Sequence, residues 1–345
     1  MPTYRNVALH TPVYELPPRV VTSAEIEERL APVYRRLKLP FGRLELMSGI
    51  KERRLWEEKT LPSAGAARAG EKALCQAEIE PGEIDCLIFT SVSRDMVEPA
   101  TASFVHSRLG LSPRCQIFDL SNACLGFLNG MIMLANMIEL GQVRKGMIVS
   151  GETAENLLES TLSYLLEDES LTRKKIKPAF ASLTIGSGAA ALIMTDNRTD
   201  DTGHRLRGFA CRNNTGASNL CRGDNQGLGS TIMATDSEEL LKQGVAVAEN
   251  TWDEFLNETG CRPADFQAFF CHQVGSAHAR HLFTTLGLDP EKNFETLPFL
   301  GNTGSAATPM TMAMGIEQGR AVSGRPAALL GIGSGINCMM LAVDW

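Results

Sequence analysis

The chain has 345 residues, enough for one large domain or two ordinary ones, and 43% hydrophobic against 21% charged residues describes a globular protein with a substantial core. Its 33 basic and 40 acidic residues give a formal charge of −7 and a pI near 5.5, which excludes the basic surface of a typical nucleic-acid binder. No apolar run reaches the roughly 18 residues of a membrane span, and the start Met-Pro-Thr-Tyr-Arg-Asn lacks the pattern of a secretory signal.

Nine scattered cysteines without a Cys-x-x-Cys pair fit a reducing cytoplasm and predict no disulfide framework. His278 and His281 stand on a predicted helix with no cysteine or carboxylate cluster beside them. They read as surface or packing residues, and no metal site is expected.

Short apolar strands alternate with helical stretches along the chain, the signature of a layered α/β fold. In the first half, Asp85–Val92 reads as a strand and 101–109 as a helix. Cys115–Ser121 is the next strand, and Phe127, Met131, Leu134, Ala135 and Ile138 recur at helical spacing after it. Met147–Gly151 and Gly188–Thr195 complete the half. Between them, 152–183 is an insertion rich in Glu, Leu and Lys with helical character.

The second half repeats the order. Phe266–His272 is a strand, Ala277–Leu286 a helix, Asn293–Leu297 a strand and Thr308–Gln318 a helix; Ala327–Gly333 and Ile336–Val343 close the set. Residues 213–232 are turn-rich and read as a surface loop. The spacings of the two halves are similar, so a topological duplication is expected: an N-terminal half, 1–200, and a C-terminal half, 201–345, with function at their interface.

Asp119-Leu-Ser-Asn-Ala-Cys124-Leu-Gly-Phe127 places a cysteine where a strand gives way to a helix. Unpaired N–H groups and the positive end of the helix dipole at such a junction are expected to lower the thiol pKa and to hold an acyl oxygen. By itself Cys124 is equally well read as a small core residue.

Three further strand-end groups stand out. His272, after Phe269-Phe-Cys, can donate to a carbonyl oxygen, although alone it reads as a core histidine. Asn302, in Gly301-Asn-Thr-Gly-Ser-Ala, can present its amide into a cavity or simply cap a helix. The turn Leu330-Gly-Ile-Gly-Ser334-Gly is not a dinucleotide fingerprint, but it can offer the Ser334 N–H. The duplication puts Cys124 and Asn302 at equivalent places and His272 on a neighbouring strand. A nucleophile with two hydrogen-bond donors suits carbon–carbon bond formation through an enolate.

These residues resemble the thiolase superfamily, and within it the ketoacyl synthase III branch, over essentially the whole chain. The resemblance implies a thiolase-like fold of two duplicated α/β halves packed as an α-β-α-β-α sandwich. It implies Cys124 as the acylated nucleophile and His272 and Asn302 as holders of the second substrate's thioester oxygen. The N–H groups of Cys124 and Ser334 would form the oxyanion hole, and no cofactor beyond an acyl-CoA substrate is needed.

Glu98, in Ser91-Val-Ser-Arg-Asp-Met-Val-Glu-Pro-Ala, stands where fatty-acid-initiating members carry an apolar residue. The loop resembles that of members condensing two fatty acyl-CoA molecules head to head in long-chain olefin biosynthesis. So do Arg53-Arg54-Leu55-Trp56, Leu220-Cys-Arg-Gly223, His272-Gln273-Val274 and Leu330–Cys338. In those members the glutamate is the general base and reaches the site of the partner subunit, which implies a homodimer and other lipid- or hydrocarbon-pathway enzymes as partners.

Alone, Glu98 reads as a solvated loop carboxylate. The alternatives are a decarboxylative synthase using malonyl-ACP, which needs no base, a hydroxymethylglutaryl-CoA synthase and a non-catalytic acyl-binding partner. Leu157-Leu158, Leu162, Tyr164–Leu166 and Met131–Met137 are candidates for acyl-channel walls against a plain reading as core. Arg35-Arg36 and Arg53-Arg54 are candidates for CoA phosphates against a reading as solvated charge.

Overall fold

The strands that build the protein are short and mostly apolar on both faces. In the computed structural model, which describes residues 4–225 and 231–345, they are β1 Val7–Leu9, β2 Val13–Glu15, β3 Arg19–Thr22, β4 Glu52–Leu55, β5 Cys86–Phe89, β6 Gln116–Asp119 and β7 Lys145–Glu152. Then come β8 Gly188–Asp196, β9 Arg205–Asn213, β10 Cys221–Asn225, β11 Thr231–Thr235, β12 Phe269–Cys271, β13 Pro326–Gly333 and β14 Asn337–Asp344. Ten of these form one mixed sheet in the order β12-β13-β14-β9-β1-β8-β7-β5-β6, with β2 on β8.

Two half-sheets are visible within it. β5 runs parallel to β6 and β7, and β7 is antiparallel to β8. In the other half β12 is parallel to β13, which is antiparallel to β14, and β14 to β9. The halves join through β1 and β9 at the single pair Ala8↔Arg205.

Alternation along each strand sorts side chains into three cores. Ile88, Ile148 and Leu192 of one half share a core with Phe270, Leu329 and Leu341 of the other. The helix Gly126–Glu139 and Met310, Met312 and Met314 of the helix Ala307–Glu317 fill the space between them. The opposite faces of the half-sheets have their own covers. Leu87, Val149 and Ala191 pack with the helices Pro62–Ala77 and Thr101–Leu109. Phe269, Leu330 and Met340 pack with Ser237–Thr259 and Ser276–Leu286. The result is the expected α-β-α-β-α order. Both faces of each half-sheet are buried, which is why the strands read as unbroken apolar runs.

Two expectations differ, and the choice between channel wall and core resolves in the insertion. Asn293–Leu297 is not a strand: only an isolated bridge, Phe269↔Asn293, forms there, and Leu297–Leu300 is a short helix with Pro298 in its first turn. Residues 213–232 are not simply a loop. A 3-10 turn, Thr215–Leu220, leads into the antiparallel pair β10–β11, while 226–230 lie outside the described residues. In the insertion, helix Glu155–Glu167 buries Leu158, Leu162 and Leu165 against Ile26, Leu30 and Tyr34, so these leucines are core. Met131, Leu134 and Ala135 are likewise packed between the half-sheets.

The close contact of β7 with helix Pro62–Ala77 depends on Gly151. A Cβ there would lie 2.1 Å from the Pro62 carbonyl oxygen and 3.0 Å from the Ala66 nitrogen, both backbone atoms that cannot swing away. Gly151→Ala should therefore lower the unfolding free energy by roughly 2–3 kcal/mol, as overpacking does. Gly82→Ala, where nothing lies within 4 Å, should change it by less than about 0.5 kcal/mol. Chemical denaturation of the two variants measures the contrast.

Candidate active site

The helix Gly126–Glu139 begins deep inside the protein, so its first N–H groups need acceptors away from water. The chain approaches it through Ala123, whose φ of 46° is left-handed, and turns there with Leu125 N–H donating to Asn122 O. The Phe127 N–H donates to Ser305 Oγ at 2.9 Å, so a serine of the other half caps this helix. Cys124 sits half-buried just before it. The glycine turn after β13 passes alongside, since a Cβ on Gly333 would lie 3.6 Å from Cys124 Cβ. Ser334, which follows, accepts at its carbonyl from Asn337 Nδ2, and the same amide reaches Asn122 Oδ1 at 2.8 Å. Nucleophile loop and glycine turn are thus tied together.

His272 follows β12 and is pinned to β13 by its N–H to Leu330 O at 2.8 Å. Both ring nitrogens are buried without a hydrogen-bond partner. Burial, with His278 adding to it, brings its pKa down to about 4, so the imidazole is neutral at ordinary pH. Asn302 lies in a backbone bridge with Ile185, and its Oδ1 accepts from Gly304 N–H at 3.0 Å. That contact fixes which end of the amide is committed: among the described residues Nδ2 donates to none.

One expectation about Cys124 is overturned. Burial, with the Glu152 carboxylate and the Cys221 thiol adding to it, pushes its thiol up to about 12. The first-turn N–H groups that were to lower it are already engaged with Asn122, Ala123 and Ser305. Burial, with a nearby anion second to it, outweighs a helix start whose donors are spent.

Glu152 is the residue that sequence reasoning missed. It is 4% exposed and accepts from Val92 N–H, Ser93 N–H, Ser93 O–H and Ser305 N–H. Burial raises its carboxyl and these donors oppose the rise. Nothing in its neighbours along the chain signals this, because three of its four donors are backbone groups distant in sequence. Cys221 was noticed only within a quoted motif; it lies at the start of β10, where Thr235 Oγ1 contacts its sulfur at 3.4 Å.

Two further candidates stand elsewhere. Glu98 is exposed in the loop after β5, with a cis bond to Pro99, and makes no hydrogen bond to Cys124, His272 or Asn302 of its own chain. Arg53 neither binds at a surface nor is solvated. It is fully buried and donates to Val21 O, Ser23 Oγ and Leu183 O, and burial brings its pKa down to about 10. Arg54 donates to Pro17 O, whereas Arg35 and Arg36 are exposed.

Two family models match the chain, 3-oxoacyl-[acyl-carrier-protein] synthase III over residues 118–215 and the C-terminal domain of the same synthase over 256–345. The chain is therefore an enzyme of the ketoacyl synthase III class within the thiolase fold. Two curated relatives carry the name acyl-CoA:acyl-CoA alkyltransferase. The one from Shewanella oneidensis is 40% identical and the one from Xanthomonas campestris pv. campestris 37%, each over 99% of both chains. OleA from Xanthomonas campestris with bound cerulenin superposes with a TM-score of 0.95 at 37% identity, covering 99% of this chain and 98% of the other. A cysteine-to-serine variant of OleA with lauric acid and lauroyl-CoA bound superposes at 0.94. The chain belongs to this OleA family of acyl-CoA:acyl-CoA alkyltransferases.

The depressed His272 pKa carries a stability consequence. Between about pH 4 and 6.5 the unfolded state binds more protons at this residue than the folded state, so stability is fullest above 6.5 and falls as pH drops through that window. His272→Asn removes this contribution. The urea midpoint of the variant should decline less between pH 7 and pH 5 than that of the parent.

Proposed function

We propose that this enzyme joins two fatty acyl-CoA molecules head to head without loss of CO₂, through an acyl group carried on Cys124. What supports the reading is that the Cys124 loop lies against Gly333 at the end of β13, that His272 is hydrogen-bonded to the same strand, and that Ser305 joins the helix after Cys124 to the turn of Asn302, while the His272 nitrogens and Asn302 Nδ2 have no partner among the described residues.

In the first half-reaction Cys124 Sγ attacks the acyl carbon and the bond to the CoA sulfur breaks. The thiol proton passes to the departing CoA thiolate, with neutral His272 as the carrier. The N–H groups of Cys124 and Ser334 face the acyl oxygen as charge builds on it. In the second, Glu98 takes an α-proton from a second acyl-CoA. His272 and Asn302 donate to the enolate oxygen, and the enolate carbon attacks the acyl carbon on Cys124. The sulfur leaves and recovers a proton from Glu98. The product is a β-ketoacyl-CoA, which hydrolysis converts to a β-keto acid and CoA.

Support for Glu98 comes from the relatives. Structures of OleA were solved with a glutamate replaced, and that glutamate and the replaced cysteine have the same separation along the chain as Glu98 and Cys124. Because Glu98 is exposed and free of its own site, we assign it to the site of a second copy. The surface around it suits a homodimer: Val92, Met96 and Val97 are 56%, 45% and 94% exposed, and β6 lies at the sheet edge with Ile117 outward. No helix among the described residues is long and apolar enough to cross a membrane. We take the cytoplasm as the site of action, acyl-CoA as the only small molecule required, and enzymes that process β-keto acids as its functional partners.

Cys124→Ala should form no acyl-enzyme with lauroyl-CoA by intact mass. Glu98→Ala should acylate at the parent rate and form β-keto product at least about 100-fold more slowly, the order of magnitude of a lost key catalytic group. Condensation at the parent rate by Glu98→Ala would show the base to be elsewhere. A requirement for malonyl-ACP, tested by incubation with acyl-CoA alone, would favour the decarboxylative synthase instead.

A further inference from the structure

Glu152 belongs to no step above, yet it holds two segments of the site's scaffold. Its Oε1 accepts from Val92 N–H and Ser305 N–H, both at 2.9 Å; its Oε2 accepts from Ser93 N–H at 3.1 Å and Ser93 O–H at 2.9 Å. Two donors per oxygen leave the carboxylate no lone pair in its plane for a further proton. It is therefore not a general base. Among the described residues no lysine or arginine pairs with it, so three backbone N–H groups and the Ser93 hydroxyl hold the charge.

The donors come from two segments. Val92 and Ser93 root the loop that carries Glu98, and Ser305 lies in the turn that carries Asn302. Ser305 also caps the helix behind Cys124 through Phe127 N–H. Gly304, at a φ of 56°, passes directly over the carboxylate: a Cβ there would lie 2.8 Å from Glu152 Oε1. One buried charge thus joins the base loop, the asparagine turn and the nucleophile helix.

We propose that Glu152 is a positioning residue for the condensation half-reaction, fixing the root of the Glu98 loop in register with the Asn302 turn while keeping a negative charge near Cys124. Because Glu98 is assigned to the site of a second copy, Glu152 also ties the geometry of one site to that of the other. This kinetic consequence rests on the assignment of Glu98; the charge near Cys124 does not.

Two measurements on full-length Glu152→Gln test the two parts. With lauroyl-CoA, acyl-Cys124 should form within about threefold of the parent rate while β-keto product falls about 100-fold, the scale of a displaced catalytic group. Alkylation of Cys124 by iodoacetamide at pH 8 should become about tenfold faster, because a neutral side chain no longer opposes the thiolate. A purely structural role would not speed alkylation. Equal loss of acylation and condensation, or an unchanged alkylation rate, overturns the proposal.

Ser93→Ala removes one donor and keeps the charge, so it carries the test if Glu152→Gln does not fold. It should slow condensation roughly fivefold, as loss of one buried hydrogen bond does, and leave alkylation unchanged. Condensation at the parent rate by this variant overturns the positioning role. Glu98→Gln separates the readings: if it condenses normally, the base assignment fails, and the alkylation rate of Glu152→Gln still decides what Glu152 does.

Discussion

Two helices buried between two half-sheets impose the constraint from which the site follows. Gly126–Glu139 and Ala307–Glu317 are enclosed on both sides, so their first turns start in the interior, where an unpaired N–H costs on the order of 1–3 kcal/mol. The protein meets the need by crossing the halves: Ser305 caps the first helix, and Glu152 receives Ser305 and the loop after β5. Polar chemistry collects at this seam because backbone groups there must be satisfied.

The same constraint explains the glycines. Gly304 and Gly333 stand where backbone runs against Glu152 and Cys124, and side chains would push the seam apart. It also explains the weak direct link between the half-sheets. Among the described residues Ala8↔Arg205 is the one ladder pair between β1 and β9, so the relative placement of the half-sheets depends largely on the apolar layer between them, in which Ile88, Ile148, Phe270 and Leu329 meet the two helices. A fully buried aliphatic or aromatic side chain contributes about 1.5–3 kcal/mol, so this layer outweighs any single pair of hydrogen bonds.

Much of the layered order was legible because buried strands are short apolar runs and Thr101–Leu109 has clear helical ends. The resemblance brought Cys124, His272 and Asn302 into one reading, since each ends an apolar segment. What failed had a physical reason in each case. Phe294 and Leu297 look like strand residues, but Pro298 and the lack of a partner beyond one bridge turn the segment into a helix start. Residues 213–232 contain Gly and Asn at turn spacing, yet cross-strand pairing of Cys221 with Thr235 and Arg222 with Ala234 organises much of the stretch. Arg53 and Glu152 were read as solvated or passed over, because a charged residue's partners are invisible when they are carbonyls or N–H groups of remote segments.

The charge states of the site argue for how acylation proceeds. A preformed thiolate–imidazolium pair needs a cysteine that loses its proton easily and a histidine that holds one. Here burial moves both groups the other way, Cys124 up to about 12 and His272 down to about 4, and the Glu152 anion adds to the first displacement. At rest both groups are then neutral. Proton transfer must accompany attack on the acyl carbon rather than precede it, with an unpartnered nitrogen of His272 able to receive the proton and the CoA sulfur to take it away. The arrangement leaves an uncharged imidazole for the enolate oxygen in the next half-reaction. A neutral imidazole has one N–H to donate to that oxygen and one nitrogen free to receive the thiol proton in the first half-reaction.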